Sequence, residues 1–254
     1  MNRLEHLAIR MLLFVALPLS TTAQVSVRDS SISMVMIRPS YGIQIPGGDM
    51  SVRFGVNQSV GIGVTRKLAS GWMFTAEGAF IFGSKINQPG LFSNLTTTEG
   101  TIIGSDGLYA DIRAFERGYY ATLGVGRMFK SKKPNPNCGF ITEFSAGFIQ
   151  HKIKIQDKKN SVPSLQGDYL KGYDRLTNGL VVREFLGYLY VGNRRLVNFY
   201  GGVELVQGFT QNRRAYNYDL KGKEEGSRID LLFGIRVGWV IPLFKEAPDD
   251  FYFY

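Results

Sequence analysis

RIDLLFGIRVGWVIPL, residues 228–243, separates into two sets when read by parity. Ile229, Leu231, Phe233, Ile235, Val237, Trp239 and Ile241 are large and apolar, whereas Arg228, Asp230, Gly234, Arg236 and Gly238 are polar or small. Leu232 and Val240 are the two exceptions on the second set. Strict alternation is the period of a strand with two different faces. Three charges exclude a membrane helix, and so complete an apolar face is too greasy for a surface strand of a soluble protein. Either a protein core or lipid covers that face, and the rest of the chain decides which.

The first residues fix the export route. Arg3 and Arg10 flank an apolar run from Met11 to Leu19, and Thr22-Ala23-Gln24 offers a small-residue cleavage site. Residues 1–23 are therefore expected to be a signal peptide. The run is too short to span a bilayer as a helix, and nothing downstream approaches the roughly 18 uncharged apolar residues that a helix would need. Cys138 is the sole cysteine, so no intramolecular disulfide can form. Thirty glycines, 18 phenylalanines and 13 tyrosines in 254 residues suit tightly closed sheets with aromatic girdles. Loss of Arg3, Arg10 and Glu5 with the signal lowers the formal charge of +9 by one. For an exported chain, the matching counter-charge is anionic lipid or lipopolysaccharide rather than nucleic acid.

Seven further segments alternate in the same way. The first, from Met34, sets Val35, Ile37, Tyr41, Ile43 and Ile45 against Arg38, Ser40, Gly42 and Gln44. The second sets Val60, Ile62 and Val64 against Ser59, Gly61, Gly63 and Thr65. The third places Trp72, Phe74, Phe80 and Phe82 opposite Thr75 and Glu77. The fourth places Tyr119, Leu123, Val125 and Phe129 opposite Tyr120, Thr122, Gly124 and Gly126. The fifth sets Phe140, Phe144 and Phe148 against Glu143, Ser145, Gly147 and His151, and the seventh sets Val197, Phe199, Val203, Leu205 and Phe209 against Asn198, Tyr200, Gly202 and Glu204. The sixth, residues 179–190, fits helical as well as strand spacing; as a strand it is expected to turn Glu184 inward in preference to Arg183. Short connections (68–71, 130–137 and 192–195) alternate with long ones (46–57, 83–117, 152–179 and 210–227). Eight strands with one short-turn rim and one long-loop rim describe an up-and-down transmembrane barrel, with periplasmic turns and extracellular loops. The expected organisation is a signal peptide at 1–23, a periplasmic segment at 24–31, a barrel with four long loops at 32–244 and a periplasmic tail at 245–254.

At this point the chain resembles the small eight-stranded, OmpA- or OmpX-like outer-membrane barrels of Gram-negative bacteria. The likeness is architectural and covers nearly all of the mature chain. Its sharpest piece is Arg236-x-Gly238-x-x-Ile241-x-Leu243, which is similar to the last-strand signal read by the barrel-assembly machinery; Leu243 stands where an aromatic is usual, and the chain continues through KEAPDDFYFY.

An eight-stranded barrel is filled by its own side chains. The inward charges Arg38, Glu77, Glu143, Glu184, Glu204, Asp230 and Arg236 are expected to form a paired network, with a narrow ion path as the alternative. Small barrels of this class include lipid A-modifying enzymes, so a serine hydrolase has to be weighed. His151 is the only histidine left after the signal, and Ser145 on the same face lies about 20 Å away along the strand. His151 is expected at the rim, and no enzyme activity, cofactor or metal site is expected. The long loops carry Lys158, Lys159, Arg213, Arg214, Tyr216 and Tyr218, which suit lipopolysaccharide phosphates or a protein surface. The expected function is non-enzymatic: an outer-membrane barrel that presents surface loops in a structural, binding or accessory role, with an outer-membrane protein as a possible partner.

Overall fold

The computed structural model describes residues 30–131, 133–192 and 197–243. In it, β1 (Met34–Gly47), β2 (Asn57–Lys67), β3 (Trp72–Gly83), β4 (Ile112–Lys130), β5 (Gly139–Asp157), β6 (Thr177–Val191), β7 (Asn198–Asn212) and β8 (Ser227–Trp239) form one antiparallel sheet. Each strand pairs with its sequence neighbour, and β8 returns to pair with β1, so no edge is left open. The three-residue β9 (Ile241–Leu243) continues β8 along β1 in the same register. The expected signal peptide, most of the 24–31 segment and the C-terminal tail lie outside the described residues.

The register fixes the tilt. Following paired residues around the ring from Ile37 passes through Val64, Ala76, Leu123, Ala146, Val182, Gln207 and Leu231 and returns to β1 at Gly47, ten residues further on. A stagger of that size over eight strands corresponds to a tilt of about 40° and an interior that side chains fill.

The two faces take opposite chemistry. Leu123 and Leu180 are each 70 % exposed and Ile235 is 62 % exposed, with apolar outward neighbours all around the ring. Among the described residues no protein group covers this belt, and hydrocarbon suits it. Aromatics rim it at both ends. Tyr190 stacks on Phe199 (4.9 Å between ring centroids) at the short-turn end, and Tyr119 meets Phe148 (6.4 Å) at the long-loop end. The chain is thus an outer-membrane-type transmembrane barrel.

β4 and β5 reach well past this belt, and here the structure departs from the sequence expectation of one loop ending near residue 117 and another beginning near residue 152. Above Tyr119 and Phe148 the same parity continues, but the chemistry of the faces inverts. Ile149, Ile153 and Ile155 now point inward and are buried, while Lys152, Lys154 and Arg113 point outward. Outside the bilayer the barrel wall is an ordinary water-facing sheet around an apolar core. Lys154, expected on a loop, is therefore part of β5.

The short turns at 68–71 and 130–137 fall where the sequence places them, while most of the turn expected at 192–195 lies outside the described residues. β2 and β3 join through residues 68–71, where Leu68 N–H donates to the Trp72 carbonyl at 2.8 Å and Gly71 takes φ +95°. At the other rim, β1 runs into α1 (Gly48–Arg53), which lies across the barrel mouth with Met50 and Arg53 buried. Cysteines introduced at Ser164 and Lys221 should therefore react with an impermeant maleimide on intact cells, whereas one at Ser70 should react only after the outer membrane is breached. The native Cys138 is buried and should stay silent. Labelling of Ser70→Cys in unbroken cells would invert the topology.

Candidate functional site

Charged side chains cluster in two places, the lumen and the long-loop end. In the lumen three arginines face three glutamates. Arg236 donates from Nε to Glu204 Oε2 at 2.7 Å, from Nη2 to Glu204 Oε1 at 3.0 Å and from Nη1 to Ser40 Oγ at 2.7 Å, and it also bonds the Tyr120 hydroxyl. Arg183 donates to Glu204 at 3.0 Å and lies 3.5 Å from Glu77 and 3.7 Å from Glu143. Arg38 forms a two-pronged pair with Glu143, donates to Thr65 Oγ1 at 3.2 Å and stacks over Tyr200 with its guanidinium carbon 4.2 Å from the ring centroid. All six charged side chains are buried.

Two sequence expectations fail here. Glu184 does not enter the lumen: β6 turns Arg183 inward and leaves Glu184 exposed on the outer wall. Asp230 does face inward but stands apart from these three arginines, where it accepts from Thr210 Oγ1 at 2.5 Å, pairs with His151 Nε2 at 2.8 Å and has Arg228 at 3.5 Å. Both corrections have one cause. Two arginines against five acids would leave buried carboxylates unpaired, whereas three against three satisfies each charge.

Apolar layers close the lumen above and below this network. At the short-turn end Met34, Met36, Met73, Met128, Leu189 and Val240 pack together, and Lys67 donates to Ile32 O at 2.8 Å and Asn137 Oδ1 at 3.0 Å beneath them. At the loop end Ile81, Ile149, Val181, Val206 and Leu232 pack under Met50 and Phe54 of the α1 region. Leu232 and Val240, the two anomalies in the opening stretch, are thus one member of each layer. Gly238 is required by close approach: a Cβ there would lie 2.3 Å from the Tyr200 ring and 2.6 Å from the Pro39 carbonyl oxygen. Of the last-strand residues, Arg236 and Gly238 face the lumen, while Ile241 and Leu243 are exposed on the outer wall.

His151 is not a rim residue. It is fully buried, held by Asp230 and capped by the edge of Phe54 at 5.5 Å, next to Glu116, which accepts from Asn57 Nδ2 at 3.0 Å. Nothing in the sequence pattern points to Glu116, because the greasy-out, polar-in alternation of this strand begins only at Gly118, two residues later.

The long loops fold into an ordered cap. Tyr173 packs on Tyr218 (5.1 Å), and Arg175, Arg53 and Arg228 converge on Glu224, with Arg175 at 2.9 Å and Arg228 at 3.1 Å. Burial acts on Glu224 in the opposite direction, but these guanidiniums, with the Asn212 amide, hold its carboxyl below the usual range. Burial, with Arg228 and Arg175 nearby, brings the Arg53 guanidinium down to about 10. Of the residues expected to bind at the surface, Arg214 is engaged with Asp174 at 2.7 Å and Tyr218 is half-buried in the cap. Lys158 sits 3.1 Å from Asp111, Arg213 donates to Asn178 at 2.6 Å, and Lys159 and Tyr216 are exposed.

Just beyond the aromatics of the long-loop end lies a collar that the sequence alone does not mark. Arg117 and Lys152 are directly opposed in the β4–β5 ladder, and both point outward. Lys154 follows one outward position higher, opposite Phe115, over whose ring Arg117 lies at 5.2 Å. Two like charges directly opposed across a ladder are destabilising. The first outward positions below them are Tyr119 and Gln150.

No family model matches the chain, and no curated protein matches it in sequence. Among solved structures it is similar to Ail, the attachment invasion locus protein of Yersinia pestis, solved with the heparin analogue sucrose octasulfate: 10 % identity, 82 % of this chain, 99 % of that one, TM-score 0.41. Neisserial surface protein A is similar at 8 % identity over 81 % of this chain and 96 % of that one, TM-score 0.42. A major outer membrane protein of Thermus thermophilus is similar at 10 % identity over 81 % and 99 %, TM-score 0.35. Likeness at this level assigns neither an activity nor a partner.

Proposed function

We propose that this chain is a sealed, non-enzymatic outer-membrane anchor for an ordered extracellular cap, and that its collar holds the phosphate groups of the outer-leaflet glycolipid. The observation that carries the second part is the Arg117–Lys152 pair. Placed side by side with Lys154 above and an aromatic girdle below, the two cations lie at the level of lipid headgroups, and a doubly charged phosphate set between them turns a repulsion into two charge-assisted hydrogen bonds. The sealed lumen supports the first part, since both apolar layers would have to open before an ion could pass. A hydrolase is less well supported: among the described residues no serine, threonine or cysteine is hydrogen-bonded to His151, whose bonded partner is Asp230.

The test reads opposite signs in two conditions. In detergent free of lipopolysaccharide, Lys152→Gln should stabilise the barrel by about 0.2–1 kcal/mol, because the like-charge contact is gone. Adding lipopolysaccharide should raise the melting temperature of the parent more than that of Lys152→Gln, and removal of the lipid's phosphates should erase the difference. If both proteins gain equally from intact lipopolysaccharide, the collar is only a solvated basic edge.

A further inference from the structure

Glu184 is the ionisable side chain at the middle of the lipid-facing wall. Its outward neighbours along β6 run Asn178, Leu180, Val182, then Leu186, Tyr188, Tyr190, so it lies three outward positions from each end of the row. At about 3.3 Å per residue and a tilt near 40°, its carboxyl lies about 10 Å from the level of Leu180, which pairs with the girdle residue Phe148, and about 15 Å from that of Tyr190 at the other girdle, deep in the hydrocarbon. Across the ladder it faces Phe144 on β5 and Leu205 on β7. No salt bridge reaches it among the described residues; the outward cation on the same flank, Arg127, stacks on Trp72 at 4.9 Å by the short-turn girdle. The inward parity of this strand belongs to Arg183, so Glu184 cannot turn into the lumen without breaking the six-charge network.

A carboxyl at mid-bilayer depth is tolerated in its neutral form and then carries one donor and one acceptor, both unmet by hydrocarbon. We propose that the β5–β6–β7 wall is the interface for a second copy of this chain, with the two Glu184 carboxyls bonded to each other across a two-fold axis. Copies inserted in the same direction are related by an axis along the membrane normal, so each residue meets residues of its own depth. A carboxylic acid is its own complement under that symmetry, since each group donates its O–H to the other's carbonyl oxygen. The flanks fit the same axis. Because the strands tilt by about 40°, a vertical line through Glu184 crosses β5 near Thr142 below it and β7 near Gln207 above it, so the outward residues that meet their own copies along the axis are polar or small.

The experiment places single cysteines on two walls and uses a short bifunctional thiol reagent in proteoliposomes of low protein content; Cys138 stays buried and unreactive. Leu186→Cys, next to Glu184, should give a cross-linked dimer, and Ile62→Cys on the opposite wall should not. Adding Glu184→Leu should abolish the product at Leu186→Cys, while Glu184→Gln, whose amide is also self-complementary, should keep it. Heat-modifiability checks that each variant is folded. Equal cross-linking from both walls would mean random collision, and cross-linking that survives Glu184→Leu would remove the carboxyl from the contact; either overturns the proposal. A product formed with another protein in native membranes, but no dimer in proteoliposomes, overturns it as well and gives the wall to a different partner.

Discussion

Arg236→Ala is expected to cost about 3–5 kcal/mol of barrel stability, because it strands buried acids instead of merely removing a cation. Arg236 gives Glu204 two hydrogen bonds, lies 3.4 Å from Glu77 and bonds Ser40 and Tyr120. With the arginine gone, Glu204 keeps Arg183 and the Gln44 amide, but the lumen holds two cations against three carboxylates. The loss should appear as a lower midpoint of the heat-modifiability transition. Neutralising Glu204 as well should recover part of it, since the double variant returns to two cations against two acids. Asp230→Asn should recover nothing: Asp230 belongs to the His151 cluster and has no arginine of the network as a partner. Rescue by Asp230→Asn and not by Glu204→Gln would mean that the lumen is wired differently.

The same arithmetic explains what the sequence withheld. Strand alternation located all eight strands, because inside a bilayer both faces carry strong and opposite chemistry. It could not set the facing of β6, where Val181, Val182, Arg183, Glu184, Phe185 and Leu186 put an apolar side chain and a charge on each parity. Charge balance could have set it, since two inward arginines cannot satisfy five inward acids and exchanging Glu184 for Arg183 moves the tally toward pairing. The upper ends of β4 and β5 were lost for a different reason. Lys152, Lys154 and Arg113 face outward there and Ile153 and Ile155 inward, so a test for greasy-out and polar-in stops at the membrane boundary although the strand continues. The collar was therefore invisible, because its residues had been assigned to loops where no register exists. The roles of Arg214 and Tyr218 in the cap depend on Asp174 and Tyr173, roughly 40 residues away, and no local pattern records such contacts.

The lipid-facing wall makes the second large prediction. Phe233→Arg and Ile62→Arg, on β8 and β2, should each cost about 2–4 kcal/mol in unfolding from lipid vesicles, because each places a guanidinium at mid-bilayer depth without a partner. Both positions are exposed in the protein, at 56 % and 58 %, so a soluble protein would accept either change almost without penalty. Leu205→Arg is the discriminating case. Leu205 is opposite Glu184 in the β6–β7 ladder, so an arginine there gains a carboxylate partner in a medium where an ion pair is screened by nothing. Its cost should fall clearly below that of Phe233→Arg, and return to the full value when Glu184→Leu is added. A cost at 205 that matches 233 and ignores Glu184 would mean that the two side chains do not share a face. Wild-type stability in both Phe233→Arg and Ile62→Arg would mean that the apolar belt is covered by something other than lipid.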